Sequence, residues 1–320
     1  MAKKIPDDDD LSKDMHKISL EDDTKGKGIK KEAVEKGAAT KSNEITVVTW
    51  NINHGSYDKD KGTSGYGDMR RELIRYYTDR NPGHLYCIQE ASGVFDEENF
   101  CYLCQKSNPR ANKDGAVVFQ KEMKHTPPPL KDAKSKCHYD DDVRRFYGVH
   151  FSIKDGDITH SFTLVSYHGY HSGKNNENKK VEIEKFFIQM LEVAEIHKMT
   201  IIIGGDFNLA VEEWRGEAEK LGAGRIKVAD AYKSGELRKI HGKSAVIDTF
   251  AVVYPPGDIP HTHCEMNTPV PVNQDEAVEH IKVEELTPER IKELYKIMDH
   301  DAVTVNVKLI TAKQEPKGPK

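Results

Sequence analysis

The stretch IIIGGDFNLA, residues 201–210, decides how the rest of the chain is read. Ile201, Ile202 and Ile203 form a short apolar run closed by two glycines, the pattern of a strand buried on both faces. Gly204 and Gly205 let the backbone leave a sheet in conformations a side chain forbids, or let a ligand approach closely. Asp206 and Asn208 then stand at the mouth of a rigid strand, where reactive groups are commonly mounted. Taken alone, the same two residues read equally well as ordinary turn formers, so the neighbouring segments have to decide.

Upstream, the spacing predicts a helix over 178–198, with Val181, Ile183, Phe187, Met190, Leu191, Ala194 and Ile196 on a broad apolar face. RRFYGVHFSI (144–153) and THSFTLVSYH (159–168) predict a hairpin around Asp155-Gly156-Asp157, its second strand ending on His168. ITVVTWNIN (45–53), HLYCIQE (84–90) and GAVVFQK (115–121) read as strands, the first carrying Asn51 near its end and the second ending on Glu90. DMRRELIRYYTDR (68–80) reads as a helix capped by Asp68 and stopped by Asn81-Pro82-Gly83. A short helix is expected over 97–106 and a loop excursion over 122–143.

Downstream, a helix is expected at 211–221, and KSAVIDTFAVVYPP (243–256) as a strand with Asp248 inside it. Residues 257–286 read as irregular, Thr287 and Pro288 open a short helix to Lys296, and MDHDAVTVNVKLI (298–310) is a loop and a strand. Strands that arrive both through helices and as hairpins predict an α/β (α+β) domain over 44–310, two packed sheets with helices outside.

Net charge is −5, with 48 Lys+Arg against 53 Asp+Glu, which is not the footprint of a protein held to nucleic acid by a basic surface. A local basic face stays compatible with that number. Residues 1–43, with four aspartates at 7–10, hold too few apolar groups to offset the entropy of ordering and are expected to be a disordered tail, like the basic 311–320. MAKKIPDDDD lacks the apolar core of a secretory signal, and no apolar run approaches the roughly 20 residues of a membrane span. Five cysteines, an odd number, then suggest reduced thiols in an intracellular protein of cytoplasm or nucleus.

Hydrophilic groups recur at the ends of the expected strands: Asn51, Glu90, His168, Asp206 with Asn208, and Asp299 with His300, while Asp248 sits within its own. Hard oxygen donors such as Glu90 and Asp299 suit Mg²⁺ or Mn²⁺, which stabilises charge on a phosphoryl oxygen or acidifies a water. A phosphodiester anion repels hydroxide, so a cation and hydrogen-bond donors must neutralise it. A nearby His or Asp must take the proton of the attacking water.

The series TWNIN, CIQEA, SYHGYH, GGDFN, VIDTF and MDHDAV resembles the endonuclease/exonuclease/phosphatase family, which includes deoxyribonuclease I and apurinic endonucleases, over about 270 residues in order and spacing. The resemblance implies a four-layered sandwich of two mixed β-sheets. It implies that Asn51, Glu90 and Asp299 hold the metal, with Glu90 the principal ligand. Asp206 would orient and activate the water, and Asn208 would hold the phosphate or that water. His300, oriented by Asp248, would contact the scissile phosphate, and His168 would face it from the other side. The implied activity is Mg²⁺-dependent (or Mn²⁺-dependent) nuclease action, most simply endonucleolytic, with nucleic acid as substrate. The same fold acting on a phospholipid or inositol phosphate is the alternative, and a catalytically dead binding module a more remote one.

The sequence also departs from that family. Met298 stands where a serine usually precedes the Asp-His pair, Asn53 takes a position often held by Asp, and VIDTF lacks the aromatic or basic neighbours common around its Asp. About fifty residues separate Asp248 from Asp299, which marks 255–296 as an insertion near the cleft. Cys101 and Cys104 have zinc half-site spacing, and His261, His263 and Cys264 could complete it, but thiols on a helix and histidines on a loop are preferred. Arg70, Arg71 and Arg75 read as a solvated helix face, Trp214 as packing, and His171 stays unassigned.

Overall fold

The computed structural model describes residues 43–52, 66–90, 100–104, 115–130, 145–170, 175–232, 246–257, 259–272, 280, 287–289 and 300–311. The expected tails (1–43 but for its last residue, and 311–320 but for its first), Asn53, His171, Met298 and Asp299 lie outside the described residues.

The elements in chain order are β1 (Glu44–Asn51), α1 (Tyr66–Arg80), β2 (Leu85–Gln89), β3 (Phe100–Cys104), β4 (Ala116–Gln120), β5 (His125–Thr126), β6 (Phe146–Asp155) and β7 (Ile158–His168). They continue with α2 (Asn176–His197), β8 (Thr200–Asp206), α3 (Val211–Leu221), β9 (Ile226–Val228), β10 (Asp248–Val253), β11 (Thr262–Met266), β12 (Val270–Pro271) and β13 (Val303–Thr311). One sheet runs β11-β13-β1-β2-β4-β3, with β12 also on β13; the other runs β5-β6-β7-β8-β10-β9. Pairs β1–β2 and β7–β8 are parallel and each is joined through a helix, as parallel neighbours require; the other pairs are antiparallel.

Both sheets are mixed, and their inner faces meet. Val47, Cys87, Val117 and Phe119 of the first share one core with Phe151, Leu164, Ile202 and Phe250 of the second. Outside the second sheet, α2 contributes Ile183, Phe186, Phe187 and Met190, and α3 contributes Trp214, which stacks on Phe207 at 4.4 Å. Outside the first sheet, Tyr77 of α1 meets Trp50 edge-on at 6.0 Å. Helix, sheet, sheet and helices make the four layers expected. All seven residues of β8 are buried, because one face meets the first sheet and the other meets α2.

The hairpin β6–β7 closes where Asp155 pairs with Ile158, and Gly156 supplies the positive φ (58°) that its tight turn demands. The two glycines of β8 have a different purpose from room for a substrate. A Cβ on Gly204 would press on Cys87 of the facing sheet and on Phe250, and one on Gly205 would overlap the carbonyl oxygen of Tyr167 on β7. Gly204 makes room for the Cys87 and Phe250 side chains, and Gly205 for the backbone of β7.

Three expectations are corrected. Residues 100–104 form β3 rather than part of a helix, because Phe100–Cys104 pair antiparallel with β4 along their whole length. Residues 262–266 are not irregular: Thr262 and Cys264 turn inward while His263 and Glu265 are more exposed, and β11 adds itself to the edge of β13. β10 begins at Asp248, so that residue opens its strand instead of sitting inside it. β3 and β11 are opposite edges of one sheet, five strand spacings or about 24 Å apart. Cys101 and Cys264 therefore cannot share a zinc, whose Zn–S bonds are about 2.3 Å. Arg75 is exposed and paired with Glu72 at 3.0 Å, a solvated helix face as expected.

Two predictions follow from this packing. Gly205→Ala destabilises the fold by about 1–3 kcal/mol, because backbone cannot swing aside, whereas Gly216→Ala on the exposed face of α3, where an added Cβ meets nothing, stabilises by about 0.5–1 kcal/mol. Urea midpoints of the two variants should move in opposite directions. Burial pushes the Cys87 and Cys264 thiols up, the latter to about 12. Both should resist iodoacetamide at pH 8 in the folded protein and alkylate once it is unfolded, as read by peptide mass.

Candidate active site

Strand register brings the site together. His168 pairs with Asp206 across the parallel β7–β8 ladder, and Asp248 pairs with Asp206 across the antiparallel β8–β10 ladder. Three polar residues thus stand side by side at one end of the second sheet, about 4.8 Å per strand. On the first sheet, Asn51 pairs with Gln89, Glu90 follows at once, and His300 precedes the start of β13, which runs antiparallel to β1. A row from each sheet therefore faces the other across the same end of the sandwich.

Asp206 is the centre of the cluster and is fully buried. Its Oδ2 accepts from Asn51 Nδ2 at 2.9 Å and from Asn208 Nδ2 at 3.2 Å, and its Oδ1 accepts from the Asn208 backbone N–H at 2.8 Å. Two imidazoles flank the same Oδ2, His300 Nε2 at 3.7 Å and His168 Nε2 at 3.9 Å. His168 Nε2 also lies 3.4 Å from Glu90 Oε1, which Asn51 Nδ2 reaches at 3.4 Å. His300 Nδ1 lies 2.9 Å from Asp248 Oδ2. A carboxylate there accepts a hydrogen bond from Nδ1–H, which fixes the tautomer and leaves Nε2 as the reactive nitrogen.

Local backbone chemistry explains the placement. Glu90 and Asn208 have positive φ (51° and 52°), turning the chain sharply at the ends of β2 and just past β8. Asn tolerates that region and Glu does not, so Glu90 carries strain of about 1–3 kcal/mol that its contacts must offset. Gly169 is needed after His168: a Cβ would run into the Phe207 main chain, and the Gly169 N–H donates to the Asp206 carbonyl at 2.6 Å. Lys179 Nζ, from the first turns of α2, donates to the Asn208 carbonyl at 2.9 Å.

The structure brings together seven of the eight residues expected at the site: Asn51, Glu90, His168, Asp206, Asn208, Asp248 and His300. Asp299, the eighth, lies outside the described residues. Ligand atoms of Asp206, Asp248 and His300 lie within 4.8 Å of one another. At about 5 Å, two carboxylates repel by on the order of 3 kcal/mol at an effective dielectric of about 20. A divalent cation would relieve that repulsion, and the oxygen donors of Asp206 and Asp248, like that of Glu90, which shares His168 Nε2 with Asp206, are of the kind Mg²⁺ and Mn²⁺ prefer. The donor set fits such an ion.

Sequence reading missed Tyr232 and Asp301. Both are buried, and the carboxylates of Asp248, Asp301 and Asp206 add to burial in pushing the Tyr232 hydroxyl above its usual range. Asp301 adjoins His300, a signal the sequence did carry; Tyr232 lies 16 residues before Asp248 in a stretch without a motif.

The structure resembles solved structures at low sequence identity. The catalytic domain of human Nocturnin with bound sulfate anion matches at TM-score 0.50 and 13% identity, over 84% of this chain and 95% of that one. An AP endonuclease from Leishmania major matches at 0.49 and 12%, over 83% and 88%. A mannosyl-6-phosphatase from Bacteroides thetaiotaomicron matches at 0.46 and 16%, over 83% and 99%. No family model and no curated protein matches the sequence. At such identities the Nocturnin likeness carries the fold alone. Among the described residues, no helix is long and apolar enough to cross a membrane.

If the cluster holds a divalent cation, Mg²⁺ or Mn²⁺ at about 100 times its dissociation constant stabilises the fold by about 2.7 kcal/mol, a rise in Tm of roughly 5–10 °C. Glu90→Gln should reduce that rise; an equal rise in both proteins would remove Glu90 from the metal set.

Proposed function

We propose that this chain, which has the endonuclease/exonuclease/phosphatase fold, is a Mg²⁺- or Mn²⁺-dependent phosphodiester hydrolase that cleaves nucleic acid by attack of water on phosphorus, most simply as an endonuclease inside the cell. One observation carries the reading: a buried carboxylate, Asp206, stands between two imidazoles, one of them held by a second carboxylate, with a third carboxylate beside the other. That set can orient a water, meet an anion and move a proton.

Each residue has a role under this reading. Glu90, with Asn51 and Asp299, holds the ion, which when bound supplies positive charge against the phosphoryl oxygens. Asp206 orients the attacking water and draws its proton. Its oxygens are held by Asn51 and Asn208, so it keeps one position while the water turns to suit it. Asn208 steers the phosphate or that water through its amide. His300, its tautomer set by Asp248, presents Nε2 to the scissile phosphate, and His168 faces the phosphate from the β7 side.

With Mg²⁺ or Mn²⁺ present, the wild type should cut plasmid DNA or RNA oligonucleotides and stop on addition of EDTA. Asp206→Ala should lower kcat by roughly 10²–10⁴-fold. Asp248→Asn keeps the shape but unsets the His300 tautomer, and should fall in the same range. Equal background from wild type and Asp206→Ala on nucleic acids, phospholipid and inositol-phosphate substrates alike would sink the reading. Turnover of the lipid or inositol substrates alone would keep the reaction and change the substrate.

A further inference from the structure

Arg145 is 2% exposed and stands one residue before β6. Removing a guanidinium from water is costly unless good hydrogen bonds replace that water. Here Nη1 donates to the Gly169 carbonyl at 2.6 Å, and the Tyr170 ring lies 4.7 Å from the guanidinium carbon, within cation–π range. The Gly169 oxygen also accepts from Asn208 Nδ2 at 3.2 Å, so one carbonyl joins the buried cation to a site amide. Asn208 itself has φ 52°, a conformation asparagine tolerates, and its backbone N–H is fixed on Asp206 Oδ1 at 2.8 Å, which leaves the amide to be oriented by its own partners.

The main chain of Arg145 acts at the same place. Its carbonyl accepts from the His168 N–H at 2.7 Å. That bond is backbone and survives side-chain substitution, whereas the guanidinium reaches the site amide by way of the Gly169 carbonyl. With the Gly169 N–H on Asp206 and its oxygen on Arg145 and Asn208, this one residue fixes the height of the β7 end against the β8 end.

We propose that Arg145 is a positioning residue: through the Gly169 carbonyl it sets the orientation of the Asn208 side-chain amide in the cleft. The activity arm of the test rests on the phosphodiester hydrolase reading. Arg145→Met should lower kcat by about 50-fold or more with KM changed less than about threefold, since misplacing a site group by about 1 Å costs on the order of 10². Arg145→Lys keeps the charge without the fixed fork and should recover part of the loss, to about tenfold. In an Asn208→Ala background, Arg145→Met should cost less than about twofold further, because the partner it positions is gone.

The side-chain amide resonances of Asn208, identified by their loss in Asn208→Asp, should shift in Arg145→Lys and Arg145→Met at unchanged Tm. This arm needs no turnover. If the wild type cleaves no phosphoester, the hydrolase reading falls and the resonances still decide the positioning. Unmoved resonances, a full loss of kcat in the Asn208→Ala background, or a loss that only follows the unfolded fraction would overturn it.

Discussion

Asp206 can be buried, charged and surrounded by other acids because nitrogen donors wrap it. Asn51, the Asn208 amide and the Asn208 backbone reach it from three directions. A lone carboxylate in that position would face a desolvation penalty of several kcal/mol; donors held by two different sheets offset it. The donors come from β1 and from the turn after β8, so the sandwich must close before the carboxylate is satisfied. The site and the packing of the two sheets are therefore one cooperative unit.

Beneath the cleft the sandwich does not become apolar at once. Gln89, fully buried, donates to Ser166 Oγ at 3.0 Å and to the Cys87 carbonyl at 3.1 Å, and accepts from Thr49 at 3.3 Å. Ser166 in turn donates to the Ile88 carbonyl at 2.8 Å. These groups bridge both sheets one layer below the reactive residues, and then Val47, Cys87 and Ile202 begin the core. A satisfied polar layer of this kind specifies the register of sheet against sheet, where apolar contacts alone tolerate sliding. A slip of one residue would turn Asp206 and His168 to the helix side.

The strands that carry the site were legible because their apolar runs are long or alternate cleanly: but for one end residue each, β1, β7, β8 and β13 lie within the stretches 45–53, 159–168, 201–210 and 298–310. The convergence of Asn51, Glu90, His168, Asp206 and His300 was legible too, since each lies at or near a strand end. What failed were elements whose evidence is tertiary. β3 is five residues rich in aromatics and thiols, and only its ladder with β4 distinguishes it from a helical turn. β11 is an edge strand whose alternation covers just five positions. The role of Gly204 and Gly205 depends on Cys87, Phe250 and Tyr167, which are distant in sequence. Arg145 gave no signal, because nothing local says that its guanidinium turns inward to Gly169.

The two histidines are not equivalent, and the difference follows from which strand delivers each. His300 has its Nδ1 on Asp248, so its ring is aimed by a carboxylate behind it and its Nε2 faces Asp206. His168 has its Nε2 toward both Glu90 and Asp206 and is almost wholly buried. A ring backed by a carboxylate is stabilised when it carries charge, which suits a group that meets an anion or passes a proton. A ring lodged between two acids works against their mutual repulsion when it is protonated, and it stands between the Glu90 turn and the β8 row. Under the proposed reading, His300 acts on the substrate from the β13 side, while His168, besides facing the phosphate, stands between the acids of the two sheets.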